Sequence, residues 1–375
     1  PWHFQGYRLL EGQPEITAFR AESEIQKYFH DRDDGSIQFK FERIYFDTET
    51  SRPVKRLKNV LTTNYLQREP RILPFHERLK DFDILHSWEL FTDWSEQALI
   101  AHDTYGTPLA VMVWDNIPFN MEQNPVRLDI KRRVLTGADL FLVHTERTRR
   151  MLALEGVADD RMAWLPPGVD TALFSPGDAN RAEFGLEEDD FAILFVGWLL
   201  PRKGLDFLLY AFHELLNDPA LHNRKLKLMV VGSGPGKERI DALVDRLSLR
   251  DSVLFLGSLP YNRMPEVYRC ANAFVLPSIA MPDWQEQFAM SMIEAMACGT
   301  PVVTTYSGAI PEIAGNCALL CQPNDFVSIS DSLKRLIQTP ALCEDLSISG
   351  RARALSRYNL ALFASQLSKA YARLG

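Results

Sequence analysis

Short apolar runs rich in β-branched and aromatic residues alternate along this chain with longer stretches whose apolar positions recur at helical spacing. That alternation predicts repeated strand–helix units on parallel sheets. In the first half, strands are predicted at Glu15–Phe19, Asp83–His86, Pro108–Trp114 and Asp139–His144, with helical stretches such as Ser95–His102 and Val126–Thr136 between them. Trp164-Leu-Pro-Pro-Gly-Val-Asp170 and Phe174-Ser-Pro176 can continue neither kind of element, so a linker is predicted there. A second series follows, with strands at Ala192–Gly197, Lys227–Val231, Val253–Leu256, Ala273–Leu276 and Pro301–Thr305. Its helices are predicted at Leu205–Leu216, Lys237–Leu247, Met264–Cys270, Phe288–Cys298 and Ser328–Leu336, and the tail Leu360–Leu374 reads as one more amphipathic helix.

At 375 residues the chain is too long for one ordinary core and suits two domains of ~150–200 residues each. The expected fold class is α/β: two facing, Rossmann-like, doubly wound parallel-sheet domains, 1–170 and 171–355, with 356–375 a final helix placed to pack back on the first. Open parallel sheets bind ligands at the carboxyl ends of their strands, so the cleft between two such sheets is the expected site.

Composition removes several alternatives. The net charge is −8 and no block of five or six like charges occurs, which argues against a nucleic-acid partner. Lys131-Arg132-Arg133 and Arg147/Arg149/Arg150 read as solvated helix faces, with an anionic acceptor or peripheral contact with a lipid surface as the alternative. The longest near-apolar run, Phe191–Leu200, is ten residues, against the ~20 that span a bilayer. The five cysteines form no C-x-x-C pair and no zinc spacing, as expected of buried, reduced thiols in a cytoplasmic protein. No His cluster suggests a metal site.

The stretch Met281–Glu312 carries the most chemistry. Phe288–Cys298 is apolar nearly all round and should be buried, yet Glu294 sits within it. An unpaired buried carboxylate costs several kcal/mol, so Glu294 needs ligand hydroxyls, an Arg, or a strip of solvent. Glu286 precedes the helix, where the dipole favours a carboxylate by ~0.3–1 kcal/mol, so simple capping explains it equally well. The N–H groups of Gln287–Ala289 point out of the helix start toward any approaching anion. Gly299 ends the helix, and Gly308 lets backbone approach a ligand closely.

Glu286-x7-Glu294, then Ala-Met-Ala-Cys-Gly-Thr-Pro-Val-Val, then Ser-Gly-Ala-Ile-Pro-Glu312, resembles the signature of retaining glycosyltransferases of the group 1, or family four, type. Phe195-Val-Gly-Trp-Leu-Leu-Pro-Arg-Lys203-Gly-Leu-Asp206, Val230-Val-Gly-Ser-Gly-Pro235 and Phe255-Leu-Gly-Ser-Leu-Pro260 are similar to that family's other segments, in order and spacing. The likeness is specific from Asp139 onward and weak before it. It implies a GT-B fold and transfer of a hexose-type sugar from a nucleoside diphosphate to an acceptor, in glycan or glycoconjugate biosynthesis. Retention, no metal and no cofactor beyond the donor are implied with it. Lys203 would neutralise the diphosphate, Glu294 would bind the ribose, and Glu286 would hold hydroxyls of the transferred sugar. The backbone of Gln287, Phe288, Ala289 and Met290 would meet phosphate and sugar. Gly197, Gly232 and Gly234 would line the cleft, and Leu259 falls in the base-binding segment.

The chain also departs from the family pattern. The usual Arg after the first glycine is Trp198, and Arg202 is the available substitute. The glycine after the motif phenylalanine is Ala289. The N-domain histidine near the reaction centre is replaced by Trp114-Asp115-Asn116, so Asp115 or Asn116 is expected to take over its contacts, Asp115 reading equally as a turn residue. The family's opening strand and glycine-rich loop are not recognisable before His3–Leu10, which reads as the helix that follows that loop, so the chain reads as trimmed or as a fragment. An epimerase or phosphorylase of the same fold, and a catalytically silent sugar-nucleotide binder, are the rival readings. The acceptor is open among sugar, lipid-linked and polysaccharide hydroxyls, the last two compatible with the inner face of a membrane.

Overall fold

The computed structural model describes residues 2–21, 39–46 and 71–375. Its strands form three parallel sheets. In the first half, β1 (Thr17–Ala21) pairs with β2 (Lys40–Ile44), and β3 (Leu85–Trp88), β4 (Leu109–Val113), β5 (Leu140–Val143) and β6 (Met162–Trp164) lie side by side in chain order. Helices α1 (Asp93–Tyr105), α2 (Pro125–Gly137) and α3 (Glu146–Leu154) connect them. Every residue of β4 and β5 is buried, as continuous apolar strands must be when a parallel sheet is covered on both faces. Thr92, Asn124 and Thr145 start the three helices by accepting backbone N–H groups of the first turn.

The second half is a six-stranded sheet in the order β12-β11-β10-β7-β8-β9. Its strands are β7 (Phe191–Val196), β8 (Leu226–Val231), β9 (Val253–Gly257), β10 (Ala273–Leu276), β11 (Val302–Thr305) and β12 (Leu319–Cys321). Around it lie α4 (Leu205–Leu216), α5 (Lys237–Arg246), α6 (Met264–Cys270), α7 (Met290–Ala297), α8 (Ile310–Ala314), α9 (Phe326–Gln338) and α10 (Pro340–Arg357). Two apolar clusters fill the faces, one holding Leu194, Tyr268, Phe274 and Met292, the other Phe195, Leu208, Phe212 and Val230. Each such side chain contributes roughly 1.5–3 kcal/mol by burial. The order reverses at β7, with β8 on one side and β10 on the other, and a crevice opens where their loops part at the carboxyl ends.

The chain crosses between halves twice, and the crossings touch. Val169 donates to the Tyr358 carbonyl at 2.7 Å, and Val169 and Asn359 form a parallel bridge. Helix α11 (Leu360–Tyr371) then packs its Phe363, Leu367 and Ala370 with Ala110, Met112, Leu140 and Leu142 of the first half.

Several expectations shift. The segment expected as a helix at His3–Leu10 is a 3-10 turn, Trp2–Leu9. Trp164, expected in the linker, ends β6. Helix α7 begins at Met290 rather than Phe288, because Ala289 adopts a left-handed conformation (φ +59°, ψ 53°) that no helix interior allows. Helix α10 and strand β12 were not anticipated. In the basic clusters Lys131 departs from a solvated face, buried with Nζ 2.6 Å from Glu155, whereas Arg132, Arg147 and Arg150 are exposed, Arg133 pairing with Glu96 and Asp129, and Arg149 and Arg150 with Glu146. Cys317 and Cys343 are half-buried, the other three cysteines buried. Among the described residues no helix is long and apolar enough to cross a membrane, and no group of three His, Cys, Asp or Glu could hold a metal ion.

Candidate functional site

The crevice between β7 and β10 brings together residues distant in sequence. Strand β7 runs into Gly197 and then the turn Pro201–Lys203, while β10 runs into Ser278 and the loop leading to Glu286. The Lys203 ammonium lies 2.7 Å from Glu286 Oε2, and the Ser278 hydroxyl donates to the same oxygen at 2.7 Å. Glu286 is 5% exposed. Burial pushes its pKa up, but Lys203 and Ser278 outweigh that, so the carboxyl sits below its ordinary value and is charged at neutral pH. The Glu286 carbonyl accepts from Ala309 N–H at 2.9 Å, which requires the loop to pass very close. Gly308 makes this approach possible: at φ +54° a side chain would collide with the Glu286 backbone.

Gly197 and Gly232 face each other, a Cβ on Gly232 overlapping the Gly197 carbonyl, and a Cβ on Gly234 would lie 2.8 Å from the Leu199 nitrogen. Gly232 and Gly234 thus let the two loops pack closely against each other. The Arg202 guanidinium lies 4.2 Å from the Trp284 ring centre. Gln287 is half-buried, as are Met290 at the head of α7 and Leu259, which packs against the neighbouring cluster. Phe288 is 2% exposed, and its ring meets His144, Trp114 and Tyr358 edge-on. Its side chain anchors one half of the molecule to the other.

Glu294 finds its partners within the protein. The Tyr268 hydroxyl donates to it at 2.8 Å, Tyr261 hydrogen-bonds it too, and burial still raises its pKa to about 7. Neither an Arg nor solvent is needed. Sequence reasoning had not considered tyrosines, which approach from α6 and the turn before it.

On the opposite wall, Asp115 is tied into its own loop. One oxygen accepts from Asn116 and Ile117 N–H at 2.8 and 3.2 Å, the other from the Asn120 amide at 2.9 Å. It organises the turn, and Asn116 reaches across instead, donating to the Glu286 carbonyl at 3.0 Å. Gln285 donates back to the Asn116 carbonyl at 3.2 Å, and Arg147 contacts Gln285 at 3.1 Å. Glu312, the last residue of the motif, accepts from Glu146 N–H at 2.7 Å and so caps α3 from across the cleft. Two residues with no sequence signal complete this wall. Glu89, at φ +65° after β3, has its pKa raised to about 8 by burial and by the nearby Asp115 charge. His144, after β5, is 2% exposed and lowered to about 4 by burial; its Nδ1 contacts the Leu165 carbonyl at 2.6 Å, and Nε2 has no hydrogen-bond partner among the described residues.

Comparison with known proteins gives this arrangement a lineage. Residues 177–353 match the family described as glycosyl transferases group 1, and residues 31–173 match glycosyltransferase family 4. A D-inositol 3-phosphate glycosyltransferase from Acidothermus cellulolyticus is 31% identical over 297 residues, 73% of this chain and 63% of that protein. One from Actinosynnema mirum is 30% identical over 315 residues, covering 79% and 73%. The chain spans about three fifths of the length of the first two relatives it matches. Among solved structures, sucrose-phosphate synthase from Thermosynechococcus elongatus superposes with a TM-score of 0.68 at 25% identity, over 78% of this chain and 74% of that one. Anabaena HepE, crystallised with UDP and glucose, shares the fold with a TM-score of 0.73 at 16% identity, over 96% and 92%. Two facing Rossmann-like sheets, a cleft built by the paired-glutamate segment, and these matches together establish that the chain belongs to the family 4, group 1 glycosyltransferases, with their GT-B architecture.

Proposed function

We propose that this chain transfers a hexose-type sugar from a nucleoside diphosphate to an acceptor hydroxyl, with retention of configuration and without a metal ion. The observation that carries the reading is the Lys203–Glu286–Ser278 cluster at the switch point of the six-stranded sheet, closed over by Asn116 from the other wall. The diphosphate is met by Lys203, Arg202 and the first N–H groups of α7, at Met290 and Ser291, which have no acceptor inside the helix. These groups are fixed before charge develops on the leaving phosphate, which is how electrostatic preorganisation lowers a barrier. Glu286, charged and oriented, accepts from hydroxyls of the transferred sugar. Glu294, with its two tyrosines, binds the ribose by exchanging one of those partners for a ribose hydroxyl.

In the reaction the anomeric C–O bond to the phosphate breaks and the bond to the acceptor oxygen forms. The acceptor proton goes to the departing phosphate oxygen. Closure about the paired crossings at Val169 and Asn359 excludes water. Acceptors in this reading are sugar, lipid-linked or polysaccharide hydroxyls in glycoconjugate synthesis; a lipid-linked one would bring the protein to the cytoplasmic face of a membrane. HepE, crystallised with UDP-glucose, makes UDP-glucose the first donor to test.

The test is calorimetric titration with UDP-, GDP- and ADP-sugars, alongside release of the nucleoside diphosphate. One donor binding, and weakening in Lys203→Ala and Glu294→Ala, supports the reading. A folded protein that binds none of the donors rejects it. Trp198 and Ala289, where the family has Arg and Gly, favour a second reading, a silent sugar-nucleotide binder. Tight binding with no nucleotide release at any acceptor concentration would favour it.

A further inference from the structure

The two basic residues of the turn Pro201–Lys203 are not equivalent. Lys203 is compensated: its ammonium sits 2.7 Å from the ionised Glu286, and the pair together carries no net charge. Arg202 is not. Its guanidinium makes no hydrogen bond or ion pair with the described residues, and its only neighbour of note is the Trp284 ring, 4.2 Å from its central carbon. Half-buried, it is desolvated enough for its pKa to be lowered, with the Glu286 charge acting weakly in the other direction. A partly dehydrated guanidinium, with five donors and no acceptor, is a built anion receptor.

Trp284 gives that receptor its aim. Its backbone forms an antiparallel bridge with Met281, closing a tight turn at Pro282–Asp283. The turn is gripped from the opposite wall, where the Asn120 amide donates to the Asp283 carbonyl at 3.4 Å and Asn116 engages Gln285. The indole thus stacks over Arg202, with the Lys203 ammonium also 5.2 Å from its centre, on a loop fixed by both halves of the molecule. A cation held on an aromatic face gives up little rotamer freedom on binding an anion.

We propose that Arg202, seated on Trp284, supplies the uncompensated positive charge for the donor diphosphate, and that Trp284 is its positioning residue. This rests on the donor-site reading above. It assigns the charge lost through Trp198 to a different turn, and it makes the loop Met281–Gln285 part of diphosphate recognition.

The test measures dissociation constants for UDP, GDP and ADP, and for the matching monophosphate of whichever binds best. The proteins are the unaltered chain, Arg202→Ala, Trp284→Ala, Trp284→Phe and the double variant Arg202→Ala/Trp284→Ala. Trp284→Ala is expected to weaken the diphosphate roughly tenfold, and Trp284→Phe by less than about threefold, because a face for the cation remains. In the Arg202→Ala background, losing the indole should cost less than about twofold, and the monophosphate should feel both changes less than the diphosphate. A Trp284→Ala effect of the same size with and without Arg202 overturns the positioning role. An unchanged diphosphate affinity in Arg202→Ala overturns the charge assignment. If none of the three nucleotides binds the folded, unaltered chain, the donor-site reading itself falls and this inference falls with it.

Discussion

Replacing Lys203 with methionine isolates the electrostatics of the cleft. The substitution keeps an unbranched side chain one atom shorter and removes its charge, leaving Glu286 buried with the Ser278 hydroxyl 2.7 Å away and no ion pair. Stranding one partner of a buried pair typically costs 3–5 kcal/mol. Here protonation sets the ceiling. A Glu286 forced neutral in the folded variant loses, at pH 7, about 1.36 kcal/mol for each pH unit above its unfolded value of ~4.3, hence roughly 3.7 kcal/mol. The sign follows from direction. In the unaltered protein the folded pKa is depressed, so Glu286 contributes stability above ~4.3 that is lost as pH falls. In the variant the folded pKa is raised, so the charged group destabilises as pH climbs. The stability gap should therefore widen by about 3 kcal/mol between pH 4.8 and pH 7. Urea unfolding followed by tryptophan fluorescence measures it, since Trp284 lies 5.2 Å from the Lys203 ammonium. Adding Glu286→Gln should remove the pH dependence. A gap that is constant from pH 5 to pH 7 would refute the argument, because the slope arises only if the stranded carboxyl holds a proton in the folded variant that it gives up on unfolding.

Ala289→Gly relieves a left-handed alanine at φ +59° and should raise stability by about 1 kcal/mol, read as a higher urea midpoint at unchanged slope. His144, lowered from 6.5 to about 4, contributes stability that is complete above pH 6.5 and lost as pH falls toward 4. Folded protein should lose about 1.4 kcal/mol per pH unit through that window from this group, and His144→Asn should flatten the slope by that amount in urea titrations at pH 4.5, 5.5 and 6.5. Asn116→Ala removes the bond to the Glu286 carbonyl and should open the cleft, seen as a larger radius of gyration in solution scattering; an unchanged radius would mean other contacts hold it shut.

The second half was readable from sequence because its strands are continuous apolar runs and its helices amphipathic, so periodicity and burial point the same way. Lys203 and Glu286 were legible as candidates through the order of the family segments, but their pairing was not, since nothing in sequence spacing says that residues 83 apart share an oxygen. Glu294 illustrates the converse. Its burial was legible, but its partners Tyr261 and Tyr268 were not, because they arrive by tertiary packing of α6 on α7. For Asp115 both readings stood open, because an aspartate that caps its own loop and one that faces a ligand have the same local sequence; the structure shows the turn role. Glu89 and His144 gave no signal at all: each follows a strand without a turn motif, and their shifted pKa values exist only once the wall is assembled. The helix start at Met290 escaped notice because alanine ordinarily favours a helix interior, and only close packing holds Ala289 outside it.

The return of α11 to the first half has a consequence for how the molecule comes into being. Phe363, Leu367 and Ala370 cover Ala110, Met112, Leu140 and Leu142, so one face of the first sheet is finished by residues made more than two hundred positions later. During synthesis that face must wait, exposed, while the entire second half emerges and folds. The six-stranded sheet, whose clusters have all their fully buried members within residues 169–358, can close first. Translation order and folding order are then inverted: the part made first is completed last. A chain stopped after α10 would present a permanently uncovered strand surface, the kind of edge on which nascent proteins recruit chaperones or aggregate.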